Sequence, residues 1–433
     1  MQVKTNSADQ PDYRLLLAGD LHIGRSSSRV PAAADSLRAA SAWERIVRLA
    51  IDERVDAVLL SGDIADAQNK FWEAIGPLEA GVRRLTENGI QTIAVAGNHD
   101  FEVLGKLADE LEGNFRLLGR NETWERVTLS NDKGPVLHVD GWSFKARYVD
   151  RSPLEDYDYS PDFAVPTLGI VHGDLDASAS RYAPLDRQQL ATAGPGAWLL
   201  GHVHGPRLIE GSSWILYPGS PQALDFGEPG RHGPWIADVR DGQIEAPRQV
   251  QLSTVWYEVV EVDATGVVTE DDLRGEIKDR LQSRADEITG DAGSMLEQIV
   301  VRLLVKGHSP LAGLAQDTMQ EIERDLRMTF GTVTLTVDRA VSELLPEIDL
   351  EQHAGQNSAL GTVATVLLEL DKDEPSDEVK ELIEETRVEL GQVRGKPEFL
   401  GLTGGRIETR EVVEHLRRSG RDLLIQLLKQ TDA

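Results

Sequence analysis

A layered α/β fold, followed by a smaller α/β module and a helical tail, is what this 433-residue sequence predicts. Three observations predict it. Short apolar runs alternate with helical patterns in the first part of the chain, short strands punctuated by turns occupy the next part, and the last ninety or so residues carry apolar positions at helical spacing. The length exceeds what one hydrophobic core usually serves, so more than one domain is expected.

The first segment reads strand, helix, strand, helix, strand over residues 13–18, 32–51, 57–61, 70–85 and 91–96. Each strand runs into a polar cluster: Gly19-Asp20-Leu21-His22, then Gly62-Asp63, then Gly97-Asn98-His99-Asp100. In α/β folds, functional sites lie at the carboxyl ends of strands. From 124 to 250 the pattern changes to short strands at 135–139, 167–171, 198–200, 213–217 and 234–239, which reads as a second, largely antiparallel sheet. Two of these strands also end in histidines, His172 and the pair His202 and His204.

A third segment reads strand 255–262, helix 270–288, strand 298–305, helix 311–326 and strand 332–337. The expected division is therefore 1–250, then an α/β module at 254–340, then a helical region at 341–433. In the tail, one helix over 376–390 places Val379, Leu382, Ile383, Thr386 and Leu390 on one face. A glycine-rich break at 401–405 precedes a helix over 409–429 with Val412, Val413, Leu416, Leu423, Leu424, Leu427 and Leu428 inward.

Composition narrows the function classes. Without cysteine there is no disulfide, thiolate metal site or cysteine nucleophile, so any metal falls to His, Asp, Glu and Asn. The net charge of -28 argues against a protein that coats nucleic acid, which needs clustered Lys and Arg. No apolar stretch approaches the roughly 20 residues of a membrane helix, and the polar N-terminus lacks the apolar core of a secretory signal. The expectation is a cytoplasmic protein with no membrane partner.

The chemistry is carried by an ordered set: Asp20-x-His22, Gly62-Asp63, Gly97-Asn98-His99-Asp100, His172, and Gly201-His202-Val203-His204. Taken singly, each has an ordinary structural explanation as a turn, a cap or a satisfied histidine. His202 and His204, two apart in an extended segment, point the same way. Taken in order, they put nearly every plausible nitrogen and oxygen ligand at a strand end, in a mixture suited to Mn, Fe or Zn. His99 is available to protonate or stabilise a leaving oxygen, with Asp100 as its orienting partner.

This order resembles the calcineurin-like metallophosphoesterase superfamily over residues 13–240. The resemblance implies a four-layer sandwich of two mixed sheets flanked by helices, and two divalent metal ions, Mn2+ by analogy. Asp20, His22 and His204 would hold the first ion and Asn98, His172 and His202 the second, with Asp63 bridging. Within the superfamily the sequence is similar to the bacterial SbcD-type DNA repair exonucleases. That similarity rests on Asp20-Leu21-His22-Ile23-Gly24, Gly62-Asp63-Ile64-Ala65-Asp66, Val171-His172-Gly173-Asp174, Tyr182-Ala183-Pro184, and Tyr217-Pro218-Gly219-Ser220-Pro221-Gln222 with Phe226-Gly227-Glu228.

The family layout implies a cap domain that positions DNA at ends or hairpins, C-terminal helices that dock on an SbcC-like coiled-coil ATPase, and a homodimer. Exonuclease and endonuclease chemistry are both within its range. Where such nucleases often carry a His three residues after the bridging Asp, this chain has Asp66. Arg25 and Arg29, with Arg147 and Arg151, are the phosphate-contact candidates. Two other functions fit the same motifs: a small-molecule phosphodiesterase or phosphatase, and a weakly catalytic subunit that tethers an ATPase to DNA ends.

Overall fold

Strand β1 (Tyr13–Ala18) is apolar at nearly every position because both of its faces are buried. Leu16 and Ala18 face one core, and Tyr13, Leu15 and Leu17 face another. The same alternation recurs in β2 (Ala57–Leu60) and β3 (Gln91–Ala94), where Val58, Leu60 and Ala94 share the first core and Leu59 and Ile93 the second. This computed structural model describes residues 11–30, 35–66, 71–111, 113, 115–160, 162, 164–211, 213–346, 349–372, 374–394 and 408–431.

The connections between these strands are helices α1 (Ala39–Asp52), α2 (Phe71–Glu87) and α3 (Phe101–Glu110), the last leading to β4 (Phe115–Leu117). Trp43, Ile46 and Val47 of α1, Leu78, Val82 and Leu85 of α2, and Leu104 and Leu107 of α3 cover one face of the sheet. Helix α1 begins at Ala39, after a short 3-10 turn at Asp35–Leu37, and is shorter than the expected 32–51. Strands β1 to β4 are parallel, as helical crossovers require.

The second sheet contains β5 (Glu125–Asn131), β6 (Gly134–Trp142), β7 (Thr167–His172), β8 (Ala197–Gly201), β9 (Arg207–Ile209) and β10 (Trp214–Tyr217), in the order β5-β6-β7-β8-β10-β9. It is not largely antiparallel. β6, β7, β8 and β10 run parallel, and only the β5 and β9 edges pair antiparallel. The long excursions between β6 and β7, and between β7 and β8 with helix α4 (Arg187–Thr192), return the chain to the same end. Strand β11 (Trp235–Arg240), also expected in this sheet, instead lies antiparallel to β1 in the first, with Leu17 opposite Trp235. Two short strands, β12 (Gln243–Ile244) and β13 (Arg248–Gln249), pair with β11.

The two sheets meet in a shared core of Leu15, Leu17, Leu59 and Ile93 against Leu137, Val139, Leu168, Ile170, Leu199 and Leu216. Beyond the second sheet, Trp198, Leu200 and Tyr217 pack under Leu190 of α4 and the adjoining loops. The result is the four-layer α/β sandwich. Trp198 is fully buried, and a Cβ placed on Gly169 of the neighbouring strand would stand 2.3 Å from its ring. Gly169→Ala is therefore expected to cost about 1–3 kcal/mol through overpacking, read as a lower urea midpoint at unchanged m-value. An unchanged midpoint would show that the indole can move aside.

After the sandwich come β14 (Val255–Asp263), α5 (Glu270–Ala292), β15 (Gln298–His308), α6 (Ala315–Asp325), β16 (Arg327–Phe330) and β17 (Val333–Leu345), with sheet order β14-β15-β17-β16. The strand–helix–strand–helix–strand rhythm is present, and β16 is an added hairpin partner of β17. The tail forms α7 (Leu350–His353), α8 (Ala359–Leu370), α9 (Asp377–Arg394) and α10 (Thr409–Thr431). Ser358 caps α8 by accepting a hydrogen bond from the Gly361 amide. The glycine-rich break at 401–405 lies outside the described residues.

By compactness the chain divides into one unit of Met1–Val262, Arg274–Leu304 and Asp317–Val341 and a second of Asp263–Leu273, Val305–Gln316 and Ser342–Ala433. In the second unit Leu360, Ala364, Leu367, Leu370, Val379, Ile383, Val412 and Leu424 form a core of their own. Leu423, expected to face inward, is 46% exposed, because adjacent helical residues point about 100° apart and Leu424 takes the buried position. No helix among the described residues is long and apolar enough to cross a membrane.

Candidate metal centre

Five strand ends converge. β1 delivers Asp20 and His22, β2 delivers Asp63, β3 delivers Asn98 and His99, β7 ends on His172, and β8 leads into His202 and His204. Because β1, β2 and β3 are parallel, and β7 and β8 are parallel to each other, ligand-type side chains collect at one end of each sheet. The loops are tied together by backbone bonds. Asp20 N donates to Gly62 O at 3.0 Å, His22 N to Asp63 O at 3.0 Å, and Ile23 N to Ile64 O at 2.9 Å.

The glycines before Asp63, Asn98 and His202 have a specific job. A Cβ on Gly97 would lie 2.2 Å from Asp63 Oδ1, one on Gly62 2.8 Å from His172 Nδ1, and one on Gly201 2.5 Å from that same nitrogen. Each missing side chain is the space through which a ligand from another motif approaches. The ligand loops are also strained: Asp20, His22, Asp63 and His202 adopt positive φ of 48°, 47°, 50° and 101°. Such backbone costs on the order of 1–3 kcal/mol per residue and concentrates where geometry serves function.

Three groups of side chains have donor atoms close enough to share an ion: Asp20 with His22 and His204, Asp20 with Asp63 and His172, and His22 with Asp66 and His99. His22 Nε2 stands 3.0 Å from His204 Nε2. His172 Nδ1 lies 3.0 Å from Ser61 O, which can only accept, so Nδ1 donates there and Nε2 faces Asn98 Oδ1 at 3.0 Å and Asp63 Oδ2 at 3.5 Å. One nitrogen and two oxygens converging in this way are a donor set suited to a divalent cation. His22 Nδ1 is buried without a hydrogen-bond partner. His202 stands at the rim, its ring 5.3 Å from that of His172 and its Nε2 3.6 Å from Asp174 Oδ1.

The electrostatics point the same way. Burial, aggravated by the nearby Asp63 charge, pushes Asp20 up to about 6, and burial followed by the charge of Asp63 pushes Asp100 up to about 7. Burial works against ionisation of Asp63 too, yet His172, His22 and His99 hold its carboxyl below the usual range. Burial drives His22 down to about 3, a neutral ring suited to ligation. Buried carboxyl groups beside the neutral ring of His22 fit a divalent cation.

Asp100, expected to orient His99, is placed otherwise. Its carboxylate accepts from the amides of Ile64 at 2.5 Å, Ala65 at 3.3 Å and Gly97 at 2.8 Å, which locks the Asp63 loop to the Asn98 loop. The carboxylate beside His99 belongs to Asp66, 3.4 Å from its Nδ1. The reason is burial: Asp100 stands at the start of α3 with no exposed surface and its carboxylate turned to the Ile64, Ala65 and Gly97 amides, whereas the His99 ring is 29% exposed. Arg25 follows the first motif closely enough for its charge to depress His22. Arg29 is turned away to Asp338 at 3.4 Å, and Arg151 is tied to Asp156 and Glu122.

Three carboxylates had no assigned role from sequence: Asp66, Asp174 and Glu228. Each lies within a motif already singled out, and that adjacency was the available signal. Glu228 Oε1 accepts from His204 Nδ1 at 2.6 Å, while Oε2 is held by Ser220 Oγ at 2.6 Å and the Leu224 amide at 2.8 Å. Burial opposes protonation of His204, but this hydrogen bond and the charge of Asp20 lift it to about 9. The 217–222 segment is thus part of the site's support: Tyr217 Oη donates to Gly173 O at 2.7 Å and accepts from the Leu175 amide at 2.9 Å. Glu228→Gln should weaken metal binding by about 10- to 100-fold, measured by competition with a chromophoric chelator. Parent-like affinity would mean Glu228 only stiffens the loop.

Residues 13–206 match the calcineurin-like phosphoesterase family, and residues 257–343 match the middle domain of the metallophosphoesterase YhaO. The metallophosphoesterase YhaO of Bacillus subtilis is 28% identical over 223 residues, covering 51% of this chain and 54% of that protein. The DNA double-strand break repair protein Mre11 of Haloferax volcanii is 28% identical over 262 residues, covering 58% of this chain and 55% of that protein. The chain thus spans about half the length of these curated relatives. Among solved structures, a dimetal phosphatase from Danio rerio is similar at 13% identity with a TM-score of 0.36, covering 56% of this chain and 99% of that one. The family match takes in every strand end that converges here, from Asp20 to His204, and on that ground residues 13–206 of this chain form a calcineurin-like phosphoesterase domain.

Proposed function

We propose that this protein is a binuclear metal-dependent phosphodiesterase that acts on DNA as a repair nuclease. The observation that carries it is the convergence of Asp20, His22, Asp63, Asn98, His172 and His204, whose nitrogen and oxygen atoms lie close enough to share ions. In this reading Asp20, His22 and His204 would hold one ion and Asn98, His172 and His202 the other, with Asp63 shared between them. Two divalent ions, taken as Mn2+, would supply positive charge to a phosphoryl oxygen and lower the pKa of the attacking water.

The chain's own residues do the rest. Glu228 fixes the ring of His204 through Nδ1, and Ser61 O does the same for His172. His99, partly open to solvent and backed by Asp66, holds a proton for the leaving oxygen. Asp100 keeps the Asp63 and Asn98 loops in register. Arg25 remains the phosphate-contact candidate of the first motif, whereas Arg29 must leave Asp338 to serve.

The nuclease reading is supported by relatives whose names are those of DNA double-strand break repair proteins and by the α/β module at 254–340, taken as a cap that positions DNA ends or hairpins. The domain assignment remains 1–250, 254–340 and 341–433, with the helical tail docking an SbcC-like coiled-coil ATPase and the nuclease pairing as a homodimer. Mn2+-dependent digestion of end-labelled duplex and single-stranded DNA, run beside a chromogenic phosphodiester, tests this. Hydrolysis of the chromogenic ester with no DNA cleaved would favour the small-molecule phosphodiesterase, and no turnover of either would favour a tethering subunit.

For the tail, deleting residues from 409 onward is a poor test, because Val412 and Leu424 belong to the core of the second unit. Leu423→Glu is a better one. It alters an exposed side chain and is expected to change stability by no more than about 0.5 kcal/mol. Co-purification with the ATPase, or the self-association constant, should fall; parent-like behaviour in both would take this face of α10 out of assembly.

A further inference from the structure

Outward from His202 runs a ladder of rings and guanidinium groups that the metal chemistry does not use. The Tyr182 ring lies 4.6 Å from that of His202 at 31°, and the Tyr148 ring lies 5.7 Å from that of Tyr182. Tyr148 is 42% exposed. The Arg181 guanidinium carbon sits 4.1 Å from the centre of the Tyr148 ring and that of Arg147 5.6 Å from it.

Two features separate this strip from an ordinary surface cluster. The first is charge. In a chain of 73 acidic and 45 basic residues, neighbouring arginines are neutralised: Arg126 by Asp140, Arg151 by Asp156 and Glu122, Arg187 by Asp176. Among the described residues, Arg147 and Arg181 have no carboxylate partner. The second is rigidity. Val149 N donates to Arg181 O at 2.9 Å, Ala183 N to Val149 O at 2.7 Å, and Asp174 N to Tyr182 O at 3.0 Å. The two segments bearing the strip are therefore bonded to each other and to the turn that follows His172.

We propose that Tyr148, with Arg181 and Arg147, is the seat for an unpaired nucleotide of the substrate strand, next to the phosphodiester held at the metal centre. The proposal rests on the nuclease reading and deepens it. An exposed aromatic face offers stacking to any base, since every base has a π-face, and an arginine without a carboxylate is free to take the adjoining phosphate. A base inside a duplex has both faces covered by its neighbours, so the seat favours an unpaired strand over the interior of a duplex, without sequence preference.

The test uses the full-length protein in EDTA, so that binding is read without cleavage, and a short oligonucleotide carrying a 2-aminopurine and a fluorescein. Tyr148→Ala should weaken binding about tenfold and abolish the change in 2-aminopurine fluorescence, Tyr148→Phe should restore both, and Arg181→Ala should flatten the salt dependence. With Mn2+, the ratio of oligonucleotide to chromogenic-ester turnover should fall about tenfold in Tyr148→Ala. Parent-like binding and fluorescence in Tyr148→Ala, with DNA cleavage intact, overturns the seat and leaves the nuclease reading standing. A parent protein that binds and stacks the oligonucleotide yet cleaves no DNA does the reverse.

Discussion

Asp63→Ala should lose phosphodiester hydrolysis entirely, together with the thermal stabilisation that added metal gives the parent. Asp63 faces three partners: its Oδ1 accepts from the His99 amide at 2.9 Å, and its Oδ2 lies 3.5 Å from His172 Nε2 and 3.9 Å from His22 Nε2. Only a carboxylate can give one oxygen to each of two ions, so its removal should lower the bound metal from two equivalents to one or none by elemental analysis. Metal at 100 times its Kd contributes about 2.7 kcal/mol, and that increment should vanish from the variant.

In EDTA two effects oppose. Removing the charge of Asp63 relieves repulsion on Asp20 and Asp100. Against burial, however, His172, His22 and His99 hold the Asp63 carboxyl below its usual range, so its ionised form stabilises the fold above that range and its loss costs stability. The metal-free variant should melt no higher than the metal-free parent. Asp63→Asn, which keeps an acceptor for the His99 amide, separates the loop contact from the charge. Two equivalents of metal in Asp63→Ala would sink the bridging assignment.

The second large effect is at His99. His99→Ala should bind metal as the parent does and lose about 10²- to 10⁴-fold in kcat on DNA, the range of general acid catalysis. A 4-nitrophenyl ester, whose leaving group departs without a proton, should suffer far less. Equal losses on both substrates would assign His99 to phosphate charge rather than proton transfer, and parent-like turnover on both would remove it from the chemistry. Because Asp66 stands 3.4 Å from Nδ1, Asp66→Asn should reproduce part of the loss on DNA.

Much of the architecture was legible before any tertiary contact was known. Doubly buried parallel strands read as unbroken apolar runs, so β1, β2 and β3 fall within a residue or two of their expected limits. The candidate residues were legible for a related reason: Asp, Asn and His recur at successive strand ends, and the fold brings their side chains together. Pairing was not. The second sheet reads as antiparallel from strand length alone, but the direction of β6, β7 and β8 is set by excursions that carry the chain back to its starting end. Likewise, the local pattern of β11 contains nothing about β1, its partner more than two hundred residues away.

The sequence by itself determined the period of each element and the identity of the atoms offered at each strand end, because both are properties of neighbours along the chain. The tertiary structure alone decided which carboxylate serves which histidine. Asp66 rather than Asp100 stands by His99, Glu228 holds His204 from 24 residues away, and Asp174 faces His202. It also decided why glycine precedes the ligands, since the clash that a Cβ on Gly97, Gly62 or Gly201 would cause is with a side chain or backbone from another motif. Those contacts form only when loops distant in sequence close on one another, and a local pattern has no term for the atoms it will meet there.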